Sequence, residues 1–441
     1  MKKNQMYNNV TWLGMLPEHW QVLSLRQLLQ PFSEKNHPEL PLLSVVREKG
    51  IIIRDIDSKE ENHNYIPDDL SGYKMVKCGQ FVVNKMKAWQ GSYGVSEFDG
   101  IVSPAYFVFD INYNLNPKFF NKAIRSKVYV NYFGQASDGI RVGQWDLSMQ
   151  KMKEIPFFLP PRSEQDQIVR FLDWKVSRIN KLIVVKKKQI KTIKEFLCAT
   201  IETQIHKYPV IDIVRLKSLG RFEKGGGFSR DNLIESNGFP AVLYGDIYTK
   251  YTYQTSIITH QIDKNAYEKA PKIVKRDIVF AGTGETKDEI GKPILYNGNE
   301  VVAAGGDVIV FHTNNKINEE YLLFQLYSQE SLKFRYIKGK GDIIVHIYPK
   351  DLGDILIPIV DNDNQFKVAN DIKLMIIKTN KSIEILKREI EVLNQYKTSF
   401  ISNVVTGKID IRDIKIPDYK YVEEEINETE DIDKEITNME Q

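Results

Sequence analysis

Three short stretches of this 441-residue chain hold residue types that could do chemistry. "DIVFAGTGE" at 277–285 sets F-x-G-x-G after a predicted strand, the pattern with which methyltransferases hold S-adenosylmethionine. "SPAY" at 103–106 approaches the [NDS]-P-P-[YF] loop that grips a flipped base in such enzymes, but Ala105 stands where the second proline belongs. "GETKDEIGKP" resembles a phosphate loop, yet six residues separate Gly284 from Gly291, and Pro293 replaces the Ser or Thr that would hold Mg²⁺. Asp277, Glu285 and Lys287 follow the order of a nuclease D…E-x-K set, a pattern loose enough to arise by chance. The seven histidines show no ligand spacing, and Cys78 and Cys198 form no C-x-x-C, so no metal site is expected. No residue is nominated as catalytic.

The elements that would have to position such residues carry a clearer signal. Leu172, Val176, Ile179, Ile183, Lys186, Ile190, Ile193, Leu197 and Thr200 step by alternating four and three residues. That is the seam of a coiled coil on one long helix. Ile372, Ile376, Thr379, Ile383, Leu386, Ile390, Leu393, Lys397 and Phe400 repeat it, each 200 residues after its counterpart. Flanking segments repeat too: "VKCGQFVVNK" is matched by "VKRDIVFAGT", and "SPAYFVFDINYNLNPKFF" by "GGDVIVFHTNNKINEEYL". "VLSLRQL" near the start likewise matches "IVRLKSL" at 213–219.

The expected organisation is therefore one mixed α/β domain at 1–160, a long helix at 161–207, a second such domain at 208–360 and a second long helix at 361–410. An acidic tail at 411–441, expected to be disordered, completes it. The fold class is α+β. If the seams pack together they do so most simply antiparallel, giving a pseudo-two-fold repeat with a domain at each end of a rod. Hydrophobic content of 42% suits folded domains. No apolar run follows the lysines of "MKKNQMYNNVTWLG", so no signal peptide is expected, and no stretch reaches the length of a membrane span. Two cysteines without a pairing pattern fit a reducing cytoplasm.

Net charge is +3, but residues 418–441 hold ten acidic side chains against Lys420 and Lys434, so the rest of the chain carries about +11. A basic body fits a polyanionic partner as well as it fits a solvated surface. Lys186, Lys187, Lys188, Lys191 and Lys194 mark one basic face of the first helix, for DNA phosphates or for solvation and partner docking.

Over residues 10–410 the chain resembles the DNA specificity subunit of Type I restriction–modification systems. "LPEHWQVLSLRQLL", "LLSVVREKGIIIR", "GQFVVNKMKAWQGSYGVSEFDGIVSPAYFVF" and "LPPRSEQDQIVRFLDWKVSRINKLI" carry the resemblance in the first half. "GFPAVLYGDI" and "SFISNVVTGKIDI" carry it in the second, whose helix departs from the pattern by starting from "DNDNQF". The resemblance implies a non-catalytic reader in which each target recognition domain reads half of a bipartite site on double-stranded DNA. It implies that the helix pair sets the spacer and docks two methylation subunits, with restriction subunits joining to cleave. S-adenosylmethionine, ATP and Mg would then sit on those partners, and this chain would bind no cofactor. An S-adenosylmethionine-dependent DNA methyltransferase and a protein-binding scaffold are the alternatives.

Base contacts are expected from polar side chains on loops beside the sheets. In the first domain these are Lys85, Lys87, Gln90, Tyr93, Arg141 and Gln144; in the second, Thr283, Thr286, Lys287, Lys338, Lys340 and His346. Trp89 and Trp145 are expected to pack the loops and not to stack on bases.

Overall fold

The structure, a computed structural model, describes residues 16–422 apart from 56–65, 68, 112–114, 140–144, 315 and 343. Arg141, Gln144, the N-terminal segment and the tail from 423 lie outside the described residues. The chain divides into two units. Among the described residues, the first comprises 16–185 and 388–422, and the second 186–387.

In the first unit, Phe81–Asn84 is a wholly buried strand, as a run of β-branched and aromatic residues favours. It lies between Tyr106–Ile111 and Tyr93–Val95, and Leu29–Phe32 completes a four-stranded antiparallel sheet. Helices Pro117–Ile124 and Lys127–Gln135 follow. The first starts where Asn116 accepts the backbone N–H groups of Lys118 and Phe119, with proline at the first helical position. Phe81, Phe120, Phe133 and Phe157 fill one core. Gln21–Ser24 pairs antiparallel with Pro156–Leu159, closing the unit just before the long helix Arg162–Ile205.

The second unit repeats this plan. Gly220–Lys224, Val308–Thr313, Ile278–Ala281 and Pro293–Tyr296 occupy the same strand order, with Gln254–Thr255 added at the edge. Helices Glu319–Leu326 and Gln329–Lys338 follow, and Asp212–Arg215 pairs with Leu356–Ile359 before the second long helix, Asn362–Val405. A further five-stranded sheet, built around Phe239–Val242, is particular to this unit.

Each long helix spans 44 residues. Every one of the eighteen seam positions is buried or half-buried, with Leu172 and Ile183 fully so. Within the first unit, the start of the first helix lies beside the end of the second. Phe171 meets Phe400 at 5.8 Å between ring centroids, and Val404 and Val405 share its core. Within the second unit, Leu197, Ile201 and Ile205 share a core with Val368, Ala369 and Ile372. Both local arrangements are antiparallel.

One buried glutamine fixes the start of each helix to its unit. Gln165 accepts the Asn116 N–H at 2.8 Å and donates to the Pro160 carbonyl at 2.9 Å. Gln365 accepts from Asn318 at 3.0 Å and donates to Val360 at 2.8 Å. The expected break at 411 is not where the chain leaves the fold. Gln167 donates to the carbonyls of Ile411 and Arg412, Ser177 accepts the Val422 N–H at 2.8 Å, and Asn180 donates to the Val422 carbonyl at 3.2 Å. Ile411 is buried and Ile409, Ile414 and Ile416 pack on the same core. The apolar residues of this segment outweigh its composition, and residues 411–422 belong to the first unit.

Candidate nucleic-acid interface

In the first unit the strand Phe81–Asn84 runs into the loop holding Lys85, Lys87 and Gln90, while the short strand Asp146–Leu147 returns past it. Leu147 donates its N–H to the Lys85 carbonyl at 3.0 Å, and Lys85 Nζ lies 2.7 Å from Asp146 Oδ2. Lys87 is exposed and Gln90 half-buried. Trp89 and Trp145 pack against each other across the crossing, 5.0 Å between centroids. Lys85, Trp89, Trp145 and Asp146 thus lie together at this crossing.

Tyr93 is not part of it. Its ring is fully buried and stacks on Phe133 at 4.2 Å, and burial pushes its phenol far above the usual tyrosine range. It belongs to the core because Tyr93–Val95 is a strand whose three residues are all buried. Behind it Arg125 donates to the carbonyls of Tyr93, Arg47 and Glu48, so the turn between the paired strands Leu43–Val46 and Gly50–Ile53 is fixed to the end of helix Pro117–Ile124. Desolvation lowers the pKa of that guanidinium.

The second unit makes the same crossing. After Ile278–Ala281, the chain at Thr283–Gly284 pairs antiparallel with Val345–His346, and Ile347 donates to the Gly282 carbonyl at 2.9 Å. Thr283 is buried, and its Oγ1 lies 2.9 Å from Nδ1 of the half-exposed His346. Thr286 is exposed, and Lys287 lies 3.9 Å from Asp342. Lys340 exchanges both backbone hydrogen bonds with His346, its ammonium over the Tyr348 ring, and Lys338 lies over Phe334. Thr283, Lys340 and His346 are thus joined by hydrogen bonds at this crossing. Beneath it, buried Arg335 donates to the carbonyls of Ile290 and Leu326 and to Ser331 Oγ, with its pKa lowered to about 10 by desolvation.

Cationic and polar side chains on a pair of crossing loops suit contact with phosphates and base edges. Lys188, Lys191 and Lys194 are exposed on the first long helix. The enzymatic motifs are placed otherwise. Asp277 is buried at the start of its strand, bonded to His312 at 2.9 Å and to the Val274 N–H, whereas Glu285 is exposed beyond the other end. His312 also meets Glu223 at 3.1 Å. The Gly282 N–H of the "FAGTG" stretch is taken by the Asp307 carbonyl, and Gly284 lies in a strand pair. "SPAY" is a turn in the other unit, closed by Tyr106 N–H on Ser103. One trio that the sequence spacing did not suggest, Glu202, His206 and Glu330, brings its ligand atoms within 4.8 Å of one another at the surface. There the imidazole is already hydrogen-bonded to Glu202 at 3.0 Å. Among the described residues no helix is long and apolar enough to cross a membrane.

Asp146 is the residue of this crossing that sequence reading did not nominate. Its signal is the 200-residue offset that pairs it with His346.

No protein-family model and no curated protein matches the sequence. Solved structures do. A chain from a structure described as the basis of complex assembly and conformational transition of the type I R-M system aligns over 90% of this chain and 100% of its own, at 14% identity and a TM-score of 0.63. The HsdS subunit from Thermoanaerobacter tengcongensis aligns over 89% and 98% at 15% identity with a TM-score of 0.46. The Type-I restriction-modification S subunit from M. genitalium aligns over 91% and 97% at 14% identity with a TM-score of 0.34. The chain therefore shares the fold of the type I R-M chain, and the resemblance read from its sequence holds at the level of the fold.

Proposed function

We infer that this chain is the DNA-reading, non-catalytic specificity subunit of a Type I restriction–modification complex. The observation that carries the reading is the loop crossing. Two units close it with the same backbone hydrogen bond, yet they carry Lys85 and Asp146 in one and Thr283 and His346 in the other. A shared frame with different polar side chains is what two readers of unlike half-sites need, because the frame positions and the side chains specify. In this reading the paired long helices set the spacer and offer the docking surface for two methylation subunits. S-adenosylmethionine, ATP and Mg belong to the partner subunits, restriction subunits join the same assembly, and the complex works in the cytoplasm.

Methylome sequencing of the host with and without this gene tests the proposal. The expected result is loss of one bipartite adenine-methylation motif on deletion. An unchanged methylome in a host whose methylation subunits are expressed would refute it. Binding of S-adenosylmethionine to the isolated chain, measured by calorimetry, would point instead to a methyltransferase.

A further inference from the structure

The loop crossings of the two units are closed by equivalent backbone hydrogen bonds. Leu147 N–H to Lys85 O in one unit corresponds to Ile347 N–H to Gly282 O in the other. Leu147 and Ile347 are both buried, and each is followed closely by a short helix, Met149–Lys153 or Pro349–Gly353. The residue before each is therefore the first side chain to emerge from the closed crossing. In the first unit it is Asp146, about half exposed, paired to Lys85. In the second it is His346, whose ring is oriented through Nδ1 by a buried threonine hydroxyl.

We propose that Asp146 and His346 are equivalent specificity-determining positions, one per half-site, each contacting the edge of a base in the major groove. The assignment rests on the DNA-reading function inferred above. The chemistry differs between the two. Asp146 is an acceptor that suits the amino group of cytosine or adenine, with Lys85 beside it as a donor suited to guanine O6 or N7. His346 is held by Thr283 so that Nε2 is the atom left for a base, giving one directional hydrogen bond in either tautomer. Beside like backbone contacts the two crossings carry different polar pairs, Lys85 with Asp146 in one and Thr283 with His346 in the other.

The test uses the full chain assembled with its methylation subunits, and competition binding against duplexes carrying the target changed one base pair at a time. Asp146→Asn, which replaces one acceptor by a donor, should change the preferred base at one base pair of one half-site, by roughly ten- to a hundredfold, and leave the other half-site untouched. His346→Asn should do the reverse. Thr283→Val should flatten the same position as His346→Asn, whereas Thr283→Ser, which keeps the hydroxyl, should retain the wild-type profile. Equal weakening against every duplex, or an unaltered profile in both Asp146→Asn and His346→Asn, overturns the assignment. A wild-type complex with no sequence preference would instead sink the DNA-reading function itself, so the two failures are told apart.

Discussion

Individual buried and half-buried polar residues hold the two units in shape, and two of them give predictions. Gln365 is almost wholly buried, and its amide satisfies both the Asn318 N–H and the Val360 carbonyl. Gln365→Ala leaves both without their partner, which costs about 1–3 kcal/mol for each group that water cannot reach. A lower urea midpoint than wild type should follow, with Gln365→Glu also destabilised because it cannot donate to Val360. His312 is the second case. Its pKa is raised, first by the hydrogen bond to Asp277 and further by Glu223, against desolvation and the nearby Arg221. A raised folded value means the protonated ring stabilises the fold fully below the unfolded value near 6.5 and that this is lost as pH rises through the folded value. The unfolding temperature should therefore fall as pH rises above 6.5, and His312→Gln should flatten that dependence. An equal slope in the variant would assign the titration to another group.

At the scale of elements, the helix seams matter most, and the structure grades them. Ile190 is buried while Ile390 is half-buried, so equal substitutions should have unequal effects. Ile190→Asp places an uncompensated charge in a buried position, at a cost on the order of 3–5 kcal/mol. Ile390→Asp can turn partly toward water and should cost less. The double variant should lose the helix pair, and with it assembly with methylation subunits on size exclusion. Normal assembly of the double variant would mean that the seam does not hold the helices. Gly407 ends the second helix in the left-handed region at φ +73, and a Cβ there would come within 2.6 Å of Pro17 Cδ. Helix termination is thus tied to the start of the first unit by a residue without a side chain.

At the scale of the molecule, the repeat makes two predictions under the proposed function. Each unit has its own core, its own closing strand pair and its own crossing, so each should read alone. Replacing residues 208–360 with the corresponding segment of another specificity subunit should change one half-site and leave the other intact; a change in both would contradict independent readers. The helices supply the other. Removing residues 186–192 together with 386–392 takes one heptad from each helix and keeps the seam in register. At ~1.5 Å per residue the pair shortens by ~10 Å. That is roughly three base pairs at ~3.4 Å each. The variant should recognise unchanged half-sites with a shorter spacer, or lose binding if the accompanying turn about the DNA cannot be absorbed. Undiminished methylation of the original motif at its original spacing would show that the helices measure nothing.

The sequence by itself determined whatever depends on neighbours along the chain. The alternation of four and three at Leu172 to Thr200 and again at Ile372 to Phe400 was enough to name the buried face of both helices, because helical periodicity is local. The 200-residue offset exposed the repeat for the same reason, and it already held the match of Asp146 with His346. Tertiary structure decided what depends on residues brought together from far apart. Tyr93 looked available between two glycines, but Phe133, forty residues later, closes over it. Residues 411–422 looked like the start of an acidic tail, yet Ile409, Ile411, Ile414 and Ile416 find a core built more than two hundred residues earlier. The crossings at Lys85 and Gly282 are made by backbone hydrogen bonds, with which any side chain is compatible, so no residue type announces them. Local pattern fixes which face of an element is apolar; only closure of the core settles what that face meets.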